Sequence, residues 1–225
     1  MSKSRWIWLS HITDLSTPVY GGGEGLEVLP DKAKSCGDSC NTVILKLPNH
    51  IGSHVDAPKH FIEGGMCVDS YSADDWVFTK PLLLDVIIGK SGIIGSSHAG
   101  KVLADVNRSD ADLILFRTGA EQYRGDEAFW RVPPGFSPEL CGYLKSRFPS
   151  FKAIGMDTIS MSSFAHRDVG REAHKEFLGS GIRIFEDLSL SLIENASSLI
   201  KVIALPFRYA KSDGAPTTLI GEVTG

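Results

Sequence analysis

Three histidines and one aspartate lie within eleven residues of this chain, between positions 50 and 60. These residues are His50, His54, Asp56 and His60. All four have even numbers, so their side chains share one side of an extended chain, whereas Pro58 would break a helix here. A straight strand would separate His50 and His60 by roughly 33 Å, at about 3.3 Å per residue. The stretch therefore predicts an extended segment that bends, with Gly52 and Pro58 at the bends.

The residue types in this stretch are those that bind divalent metal ions. Imidazole nitrogen and carboxylate oxygen suit Zn²⁺, and they also accept Mn²⁺ or Fe²⁺. A polar row that faced inward without partners would be costly to bury. The alternative is an exposed polar loop in which three of the seven histidines fall at this spacing by chance. The spacing favours the metal site.

A second group of candidate ligands lies in the C-terminal half of the chain. Glu186 shares one face of a predicted strand with two isoleucines, so we expect its carboxylate to be buried and to need a cation or hydrogen-bond donors. His174 lies twelve residues earlier, and a return of the chain through residues 179–181 would bring the two side chains together. The alternative is that Glu186 pairs with an arginine such as Arg183 or Arg208.

Apolar runs bounded by Gly, Pro, Asp or Ser predict strands along the chain. They cover residues 42–47, 82–88, 112–117, 153–156, 182–186 and 199–205. One predicted helix begins at Ser137 and Pro138 and ends near Arg147, and a second covers residues 171–178. The pattern predicts a mixed α/β fold with a β-rich centre and flanking helices, in one domain over residues 1–225.

Charge and hydropathy exclude several classes of partner. The chain has 23 Lys and Arg against 27 Asp and Glu, a formal net charge of −4, which disfavours nucleic-acid binding. No stretch approaches the roughly 18 consecutive apolar residues of a membrane helix, so no membrane partner is expected. The first ten residues lack the features of a signal peptide, and the few cysteines do not form a disulfide pattern. We therefore expect a cytoplasmic protein that acts on a small molecule.

The whole segment His50-Ile-Gly-Ser-His-Val-Asp-Ala-Pro-Lys-His60 resembles the His-x-Gly-Thr-His-x-Asp-x-Pro-x-His signature of a known family. This is the cyclase family of metal-dependent hydrolases, whose members include bacterial kynurenine formamidases and isatin hydrolases. Further similarity covers residues 14–20, 117–119, 155–158, 174–186, 204–208 and 213–216, in order along nearly the whole chain. The signature has one departure, because Ser53 stands where the family has Thr.

The resemblance implies a metal centre with one or two divalent ions. By that resemblance, His50, His54 and Asp56 would bind the first ion. Asp56 would bridge to a second ion held by His174, and Glu186 would touch both. Zn²⁺ is the first choice of metal and Mn²⁺ is the alternative.

The resemblance also implies the remaining roles. His60 would be the proton donor and acceptor rather than a ligand, and Tyr20 would line the substrate pocket where formamidases commonly have Trp. The implied fold is a swivelling β/β/α domain, and the implied assembly is a homodimer or homotetramer.

A metal ion of this kind makes hydroxide available at neutral pH, and a neighbouring histidine can carry the proton to a leaving nitrogen. We therefore expect hydrolysis of an amide, formamide or lactam C–N bond, or of a lactone, in a small aromatic substrate. The resemblance makes N-formylkynurenine the first choice and isatin- or lactone-type ring opening the alternative. A metal-binding module without catalysis is a rival from another class, and lyase or cyclisation chemistry at the same site is a third possibility.

Overall fold

A computed structural model describes residues 4–224 of the chain. Within this range there are thirteen strands and four α-helices, joined by turns and short 3-10 helices. The strands are β1 (Ser4–Trp8), β2 (Glu27–Lys32), β3 (Thr42–Lys46), β4 (His54–Asp56), β5 (Val77–Phe78), β6 (Pro81–Asp85), β7 (Ile93–Ile94), β8 (Leu113–Arg117), β9 (Gly135–Phe136), β10 (Ala153–Met156), β11 (Arg183–Glu186), β12 (Leu199–Pro206) and β13 (Gly214–Thr224). The helices are α1 (Ser96–Leu103), α2 (Ala128–Arg131), α3 (Glu139–Arg147) and α4 (Arg167–Gly179).

Nine strands form one central sheet. Its order is β5-β12-β13-β4-β11-β10-β8-β6, and β1 pairs with β13. The strands β6, β8, β10 and β11 run parallel, with α1, α3 and α4 in the three crossovers that parallel pairing requires. The other strands pair antiparallel, and β4 lies between β11 and β13 where the two halves meet. A polar group on β4 therefore sits in the middle of the sheet.

Both faces of the sheet are buried at β8, β10 and β11, and the side chains of these strands alternate between two cores. On β8, Ile114 and Phe116 join α3 and α4 in one core, while Leu113 and Leu115 point into the other. Strands that are covered on both faces are apolar throughout, which is why β8 reads as a continuous apolar run. None of the helices between residues 4 and 224 combines the length and apolar composition that a bilayer crossing requires.

The predicted fold class is confirmed: a nearly closed β-rich centre carries flanking helices. Each of the six predicted strands is present, and the helix predicted to end near Arg147 ends there. Helix α4 begins at Arg167, four residues before the predicted start. The long strand β13 was not predicted, because Gly214 and Pro216 at its start have the composition of a turn.

The hairpin of β2 and β3 stands apart from both cores. Val28 pairs across the strands with Leu45, and Pro30 pairs with Val43. Because strands alternate faces, these four side chains share one face, which we call the apolar hairpin face. All four are exposed in the single chain, so the strand predicted at 42–47 is present but is not part of the core.

Candidate metal centre

The segment from His50 to His60 is extended and bent, as the sequence predicts. Only its middle is a strand, β4, and Pro58 begins a short 3-10 helix that ends at His60. Gly52 has a φ of 59°, in the left-handed region that favours glycine. These two bends bring the rings of His50 and His60 into a stack with centroids 4.0 Å apart.

Strand pairing brings the distant half of the site to β4. In the antiparallel register of β4 and β11, Glu186 lies directly opposite His54. His174 comes from α4, which packs beside β11. The predicted return of the chain is confirmed, since His174 Nε2 lies 3.2 Å from Glu186 Oε1. Arg183 does not pair with Glu186, because its guanidinium lies over the rings of Tyr71 and Trp76.

Four buried side chains form what we call the inner cluster: His54, Asp56, His174 and Glu186. The Nε2 atom of His54 lies 3.3 Å from Glu186 Oε2 and 3.6 Å from Asp56 Oδ1. The Nε2 atom of His174 lies 3.6 Å from Asp56 Oδ2. Two imidazoles and two carboxylates thus face one another out of contact with water.

Backbone carbonyls fix which nitrogen of each inner histidine faces the cluster. The Nδ1–H of His54 donates to the Gly52 carbonyl at 2.7 Å, and that of His174 donates to the Gly170 carbonyl at 2.8 Å. Both Nε2 atoms are therefore left to face the carboxylates. Histidines that bind metals are commonly oriented in this way by a second hydrogen bond.

Glu186 has further donors that sequence reasoning missed. The backbone N–H of Met161 donates to Glu186 Oε1 at 2.6 Å, and the Ser160 hydroxyl donates to the same oxygen at 3.2 Å. Both come from the loop that follows β10. The serine-rich composition of residues 160–163 next to a strand end was the available signal.

Asp213 links the two outer histidines and was also missed. Its Oδ2 lies 3.1 Å from His50 Nε2 and 3.1 Å from His60 Nδ1, while His50 Nδ1 lies 2.7 Å from Asp56 Oδ1. Asn49 donates to the other oxygen of Asp213 at 2.8 Å. We call His50, His60 and Asp213 the outer group.

Gly214 permits this close approach. A Cβ atom at this position would lie 2.2 Å from Cε1 of His50, so no other residue fits without displacing that ring. The Asp213-Gly214 pair has the composition of an ordinary turn, which hides its position beside the candidate ligands.

Ser53 supports the bend between the first two histidines. Its hydroxyl donates to the Asp187 carbonyl at 2.5 Å and accepts from the His11 backbone N–H at 2.8 Å. The hydroxyl that serine shares with threonine is thus the group in use at this signature position.

In the inner cluster, the imidazoles and the carboxylates shift one another's pKa values. Burial opposes protonation of His54, but the hydrogen bond to Glu186 and the charge of Asp56 outweigh it and raise the pKa of His54 to about 9. The pKa of His174 is raised as well, against the effect of burial, by Glu186 and then Asp56. Burial alone would raise the pKa of Glu186, but His174 and His54 hold it far below its ordinary value.

Within the outer group, His60 behaves differently from the inner histidines. Burial lowers the pKa of His60, and the charge of Asp56 and the hydrogen bond that His60 donates to Asp213 only partly oppose that effect. Partial burial would raise the pKa of Asp213, but its hydrogen bonds to His50 and then His60 lower it to about 2. His60 is therefore uncharged near neutral pH, and it is able to accept a proton there.

The residues present fit a divalent cation. One ligand atom each from His54, Asp56 and Glu186 lie within 4.8 Å of one another, and the same holds for His50, Asp56 and His60. Asp56 belongs to both sets. Two buried carboxylates cost much free energy unless positive charge accompanies them, and nitrogen with oxygen donors suits Zn²⁺ or Mn²⁺.

An aromatic wall lies beside the inner cluster. The ring of Tyr20 meets Phe164 edge to face at 5.7 Å, and Phe164 meets Trp130 at 5.4 Å. Burial is the main cause that raises the pKa of Tyr20, and the negative charge of Glu186 adds to it, so the phenol is within electrostatic reach of the cluster. We call Tyr20, Phe164 and Trp130 the aromatic wall. Of its members, the sequence suggested Tyr20 alone.

Comparisons with known proteins agree with this geometry. The kynurenine formamidase of Geobacillus thermodenitrificans is 28% identical over 216 residues, which cover 94% of each chain. The structure of isatin hydrolase A from Labrenzia aggregata bound to benzyl benzoate matches with a TM-score of 0.85 and 22% identity, over 99% of this chain and 94% of that one. A "predicted metal-dependent hydrolase" from Bacillus stearothermophilus matches with a TM-score of 0.75 and 18% identity, over 98% and 99% of the two chains.

A protein-family model also matches this sequence. The model is that of the Cyclase family, described as "Putative cyclase", and it matches residues 7–163. This range contains the bent segment, the aromatic wall residues Tyr20 and Trp130, and the loop that binds Glu186. Since the matched range is well over half of the sequence, the chain belongs to the Cyclase family.

Proposed function

We propose that this protein is a metal-dependent hydrolase that cleaves an amide C–N bond in a small aromatic substrate, with an N-formylated aryl amine such as N-formylkynurenine as the first choice. The inner cluster carries the proposal, because two oriented imidazoles and two carboxylates converge there in a buried site. The kynurenine formamidase relative, which aligns over 94% of the chain, supports the same reaction.

The proposed ligands divide between one or two ions. His50, His54 and Asp56 would hold the first ion, and Asp56, His174 and Glu186 would hold the second, with Glu186 also in reach of the first. Zn²⁺ is the first choice and Mn²⁺ the alternative, since both accept this donor set. When bound, such an ion polarises the substrate carbonyl and lowers the pKa of water from 15.7 towards about 7.

His60 is the proposed proton carrier. Its Nδ1 faces Asp213 at 3.1 Å, so Nε2 is the nitrogen left to take a proton from the attacking water and deliver it to the leaving nitrogen. A lowered pKa keeps this ring uncharged and able to accept that proton at neutral pH. Such transfers are worth about 10² to 10⁴ in rate. Asp213 orients the ring and does not itself meet the substrate.

The aromatic wall offers a packing surface for an aromatic substrate. Tyr20 and Phe164 present ring surface at the side of the inner cluster, and aryl groups pack against such surfaces edge to face or offset. Bound there, an aryl amide directs its carbonyl towards the inner cluster.

We further propose a homodimer or homotetramer that contacts through the apolar hairpin face. Isolated two-stranded hairpins are at best marginally stable in water, and a twofold axis would let each copy cover the hairpin of the other. Light scattering after size exclusion tests this. Leu45→Lys should lower the mass towards that of one chain, while Leu29→Lys, on the opposite face, should not. An unchanged mass for Leu45→Lys contradicts this contact.

We also propose a cytoplasmic enzyme of one domain over residues 1–225. Both cores pack on the same central sheet, which supports one domain. All four cysteines are free, which is usual in a reducing compartment.

One experiment tests the function. Metal content is measured on the purified protein by plasma emission spectroscopy, and the metal-replete form is then assayed with N-formylkynurenine, isatin and a simple lactone. We expect the highest kcat/KM for N-formylkynurenine, loss of activity after chelation, and recovery with Zn²⁺ or Mn²⁺. Full activity after exhaustive chelation contradicts the proposal, and bound metal without turnover of any substrate supports a non-catalytic metal-binding module instead.

A further inference from the structure

Helix α4 carries two arginines on the side that also bears His174. The positions 167, 171 and 174 are spaced as i, i+4 and i+7, so Arg167, Arg171 and His174 lie along one stripe of the helix. His174 is buried in the inner cluster, and both arginines are exposed. At about 1.5 Å per residue, Arg167 begins roughly 10 Å from His174 along the helix axis. The stripe therefore leads from the inner cluster to the surface.

The aromatic wall runs beside this stripe. The guanidinium of Arg167 lies over the ring of Phe164, 5.1 Å from its centroid, and Phe164 in turn contacts Tyr20. Two residues before Phe164, the Ser162 hydroxyl lies 3.4 Å from Nδ1 of His174. The phenol of Tyr20 is subject to the positive charges of Arg167 and Arg171 and to the negative charge of Glu186. Cationic groups, ring surface and candidate ligands thus border one another.

The charge of Arg167 is not neutralised by a neighbouring carboxylate. Among the residues from 4 to 224, no Asp or Glu oxygen lies within 4.0 Å of its guanidinium nitrogens, while Arg171 pairs with Asp168 at 3.1 Å. Arg167 instead stacks on Phe164 and lies close enough to the Tyr20 phenol to oppose the rise of its pKa. Its exposed side chain has five N–H donors, more than the phenol can engage. A guanidinium in this state is suited to a carboxylate, which it can bind with two parallel hydrogen bonds.

We propose that Arg167 is a specificity-determining residue that binds a carboxylate on the aryl substrate, at the end remote from the scissile carbonyl. Arg171 adds a second, partly neutralised charge to the same edge. The inference rests on the proposed function, and it narrows the substrate class from aryl amides in general to anionic aryl amides. The aryl ring of the substrate spans the distance between the inner cluster and Arg167, against the aromatic wall.

Two substrates of the same shape test the charge directly. 4-Formamidobenzoate carries a carboxylate opposite its formamide, and 4-formamidobenzamide carries a neutral amide at the same place. We expect the wild-type, metal-replete protein to turn over the carboxylate with the lower KM. In Arg167→Gln, the KM for the carboxylate should rise about tenfold, while the kinetics of the neutral amide stay unchanged.

Matched variants separate recognition from packing. Lys175→Gln removes one positive charge from α4 but lies further round the helix, beside Glu172, so it should leave the substrate preference unchanged. Arg167→Lys keeps the charge and should retain part of the preference. Raising the salt concentration should reduce the preference of the wild type and not that of Arg167→Gln, because exposed charge pairs are screened. An equal loss for both substrates in Arg167→Gln would show that Arg167 only supports the wall.

Measurements of product binding test the inference without depending on turnover. The reaction products, 4-aminobenzoate and 4-aminobenzamide, are titrated into wild type and Arg167→Gln by calorimetry. Tighter binding of the carboxylate that is lost in the variant supports the inference even if no formamide is hydrolysed, in which case the proposed function alone fails. An unchanged preference in Arg167→Gln, by kinetics or by binding, overturns the inference.

Discussion

The site holds two pairs of histidines that are fixed in different ways. The Nδ1–H groups of His54 and His174 donate to backbone carbonyls, and both rings are buried. His50 and His60 are less buried, and both are held by the one carboxylate of Asp213. A backbone carbonyl neither titrates nor moves without the main chain, whereas a carboxylate on a turn can do both.

This difference separates two tasks in the proposed mechanism. The backbone carbonyls hold the Nδ1–H of both inner histidines and leave each Nε2 facing the carboxylates, which is the orientation that metal ligands require. In the outer pair, the carboxylate of Asp213 connects a proposed ligand, His50, to the proposed proton carrier, His60. Unlike a backbone carbonyl, this carboxylate can titrate. Changes in the inner cluster should therefore remove the metal, and changes at His60 or Asp213 should alter the rate and its pH dependence.

The largest effect is expected from the inner cluster. Glu186→Gln keeps the shape of the side chain but removes the charge that faces both His54 and His174. We expect loss of bound metal and of detectable turnover, together with a destabilisation of about 3–5 kcal/mol, because two buried imidazoles lose their partner. Plasma emission spectroscopy, kinetics and urea unfolding measure these changes. Glu172→Gln, exposed on α4, is the matched control, and a Glu186→Gln protein with full metal content would refute the assignment.

The outer group should separate binding from catalysis. His60→Gln should retain the metal and the fold, and kcat should fall by about 10² to 10⁴, because the proton carrier is absent. Metal analysis and steady-state kinetics on the same preparation measure both. His98→Gln, in α1, is the control. Turnover that survives at the wild-type rate would remove His60 from its role.

The metal-free protein should lose stability as the pH rises from about 6.5 to 9. The pKa of His54 is raised to about 9 in the folded protein, so its contribution is complete below about 6.5 and is lost as the pH rises through 9. His174 shifts in the same direction. At about 1.4 kcal/mol per pKa unit, we expect a loss of about 3 kcal/mol.

Urea unfolding in the presence of a chelator, at pH values between 6 and 9.5, measures this loss. The lowered pKa of Glu186 contributes at all of these pH values and does not alter the slope. Added Zn²⁺ should reverse the trend, because ligands must be unprotonated to bind it and its stabilisation grows with pH. A free energy of unfolding that stays constant in the metal-free protein would contradict the electrostatics of the inner cluster.

The smallest effect is expected from Asp213→Asn. The variant should keep its metal and lose about tenfold in kcat, because the ring of His60 is less well oriented. Since Asp213 raises the pKa of His60, its removal should also move the acid limb of the pH–rate profile to lower pH. Asp110→Asn, which alters an exposed pair with Arg108, is the control. An acid limb that does not move would separate Asp213 from the proton carrier.

The sequence predicted the local half of the site better than the distant half. Spacing, the bend at Gly52 and the proline at position 58 suffice to expect that His50 and His60 approach each other. The placement of Glu186 opposite His54 depends on strand order, and apolar runs alone do not determine which strands become neighbours. Without the family resemblance, the geometry of the inner cluster would not have been predictable.

Two further regions show why composition misleads. The run at 42–47 is apolar, which predicts a strand packed in the core. In a single chain this strand instead belongs to an exposed hairpin. The sequence pattern does not identify what would cover it. Asp213 and Gly214 have the composition of an unremarkable turn, yet one orients two histidines and the other leaves room for a ring. Both cases depend on tertiary neighbours rather than on local preference.

Strand β13 pairs with β4 and carries Gly214 next to Asp213, so the site is completed by the last element of the described chain. During synthesis, the bent segment leaves the ribosome roughly 150 residues before that strand does. Until then the nascent polypeptide lacks one neighbour of β4 and the carboxylate shared by His50 and His60. Newly made protein therefore assembles a working centre only after the start of β13 has been synthesised.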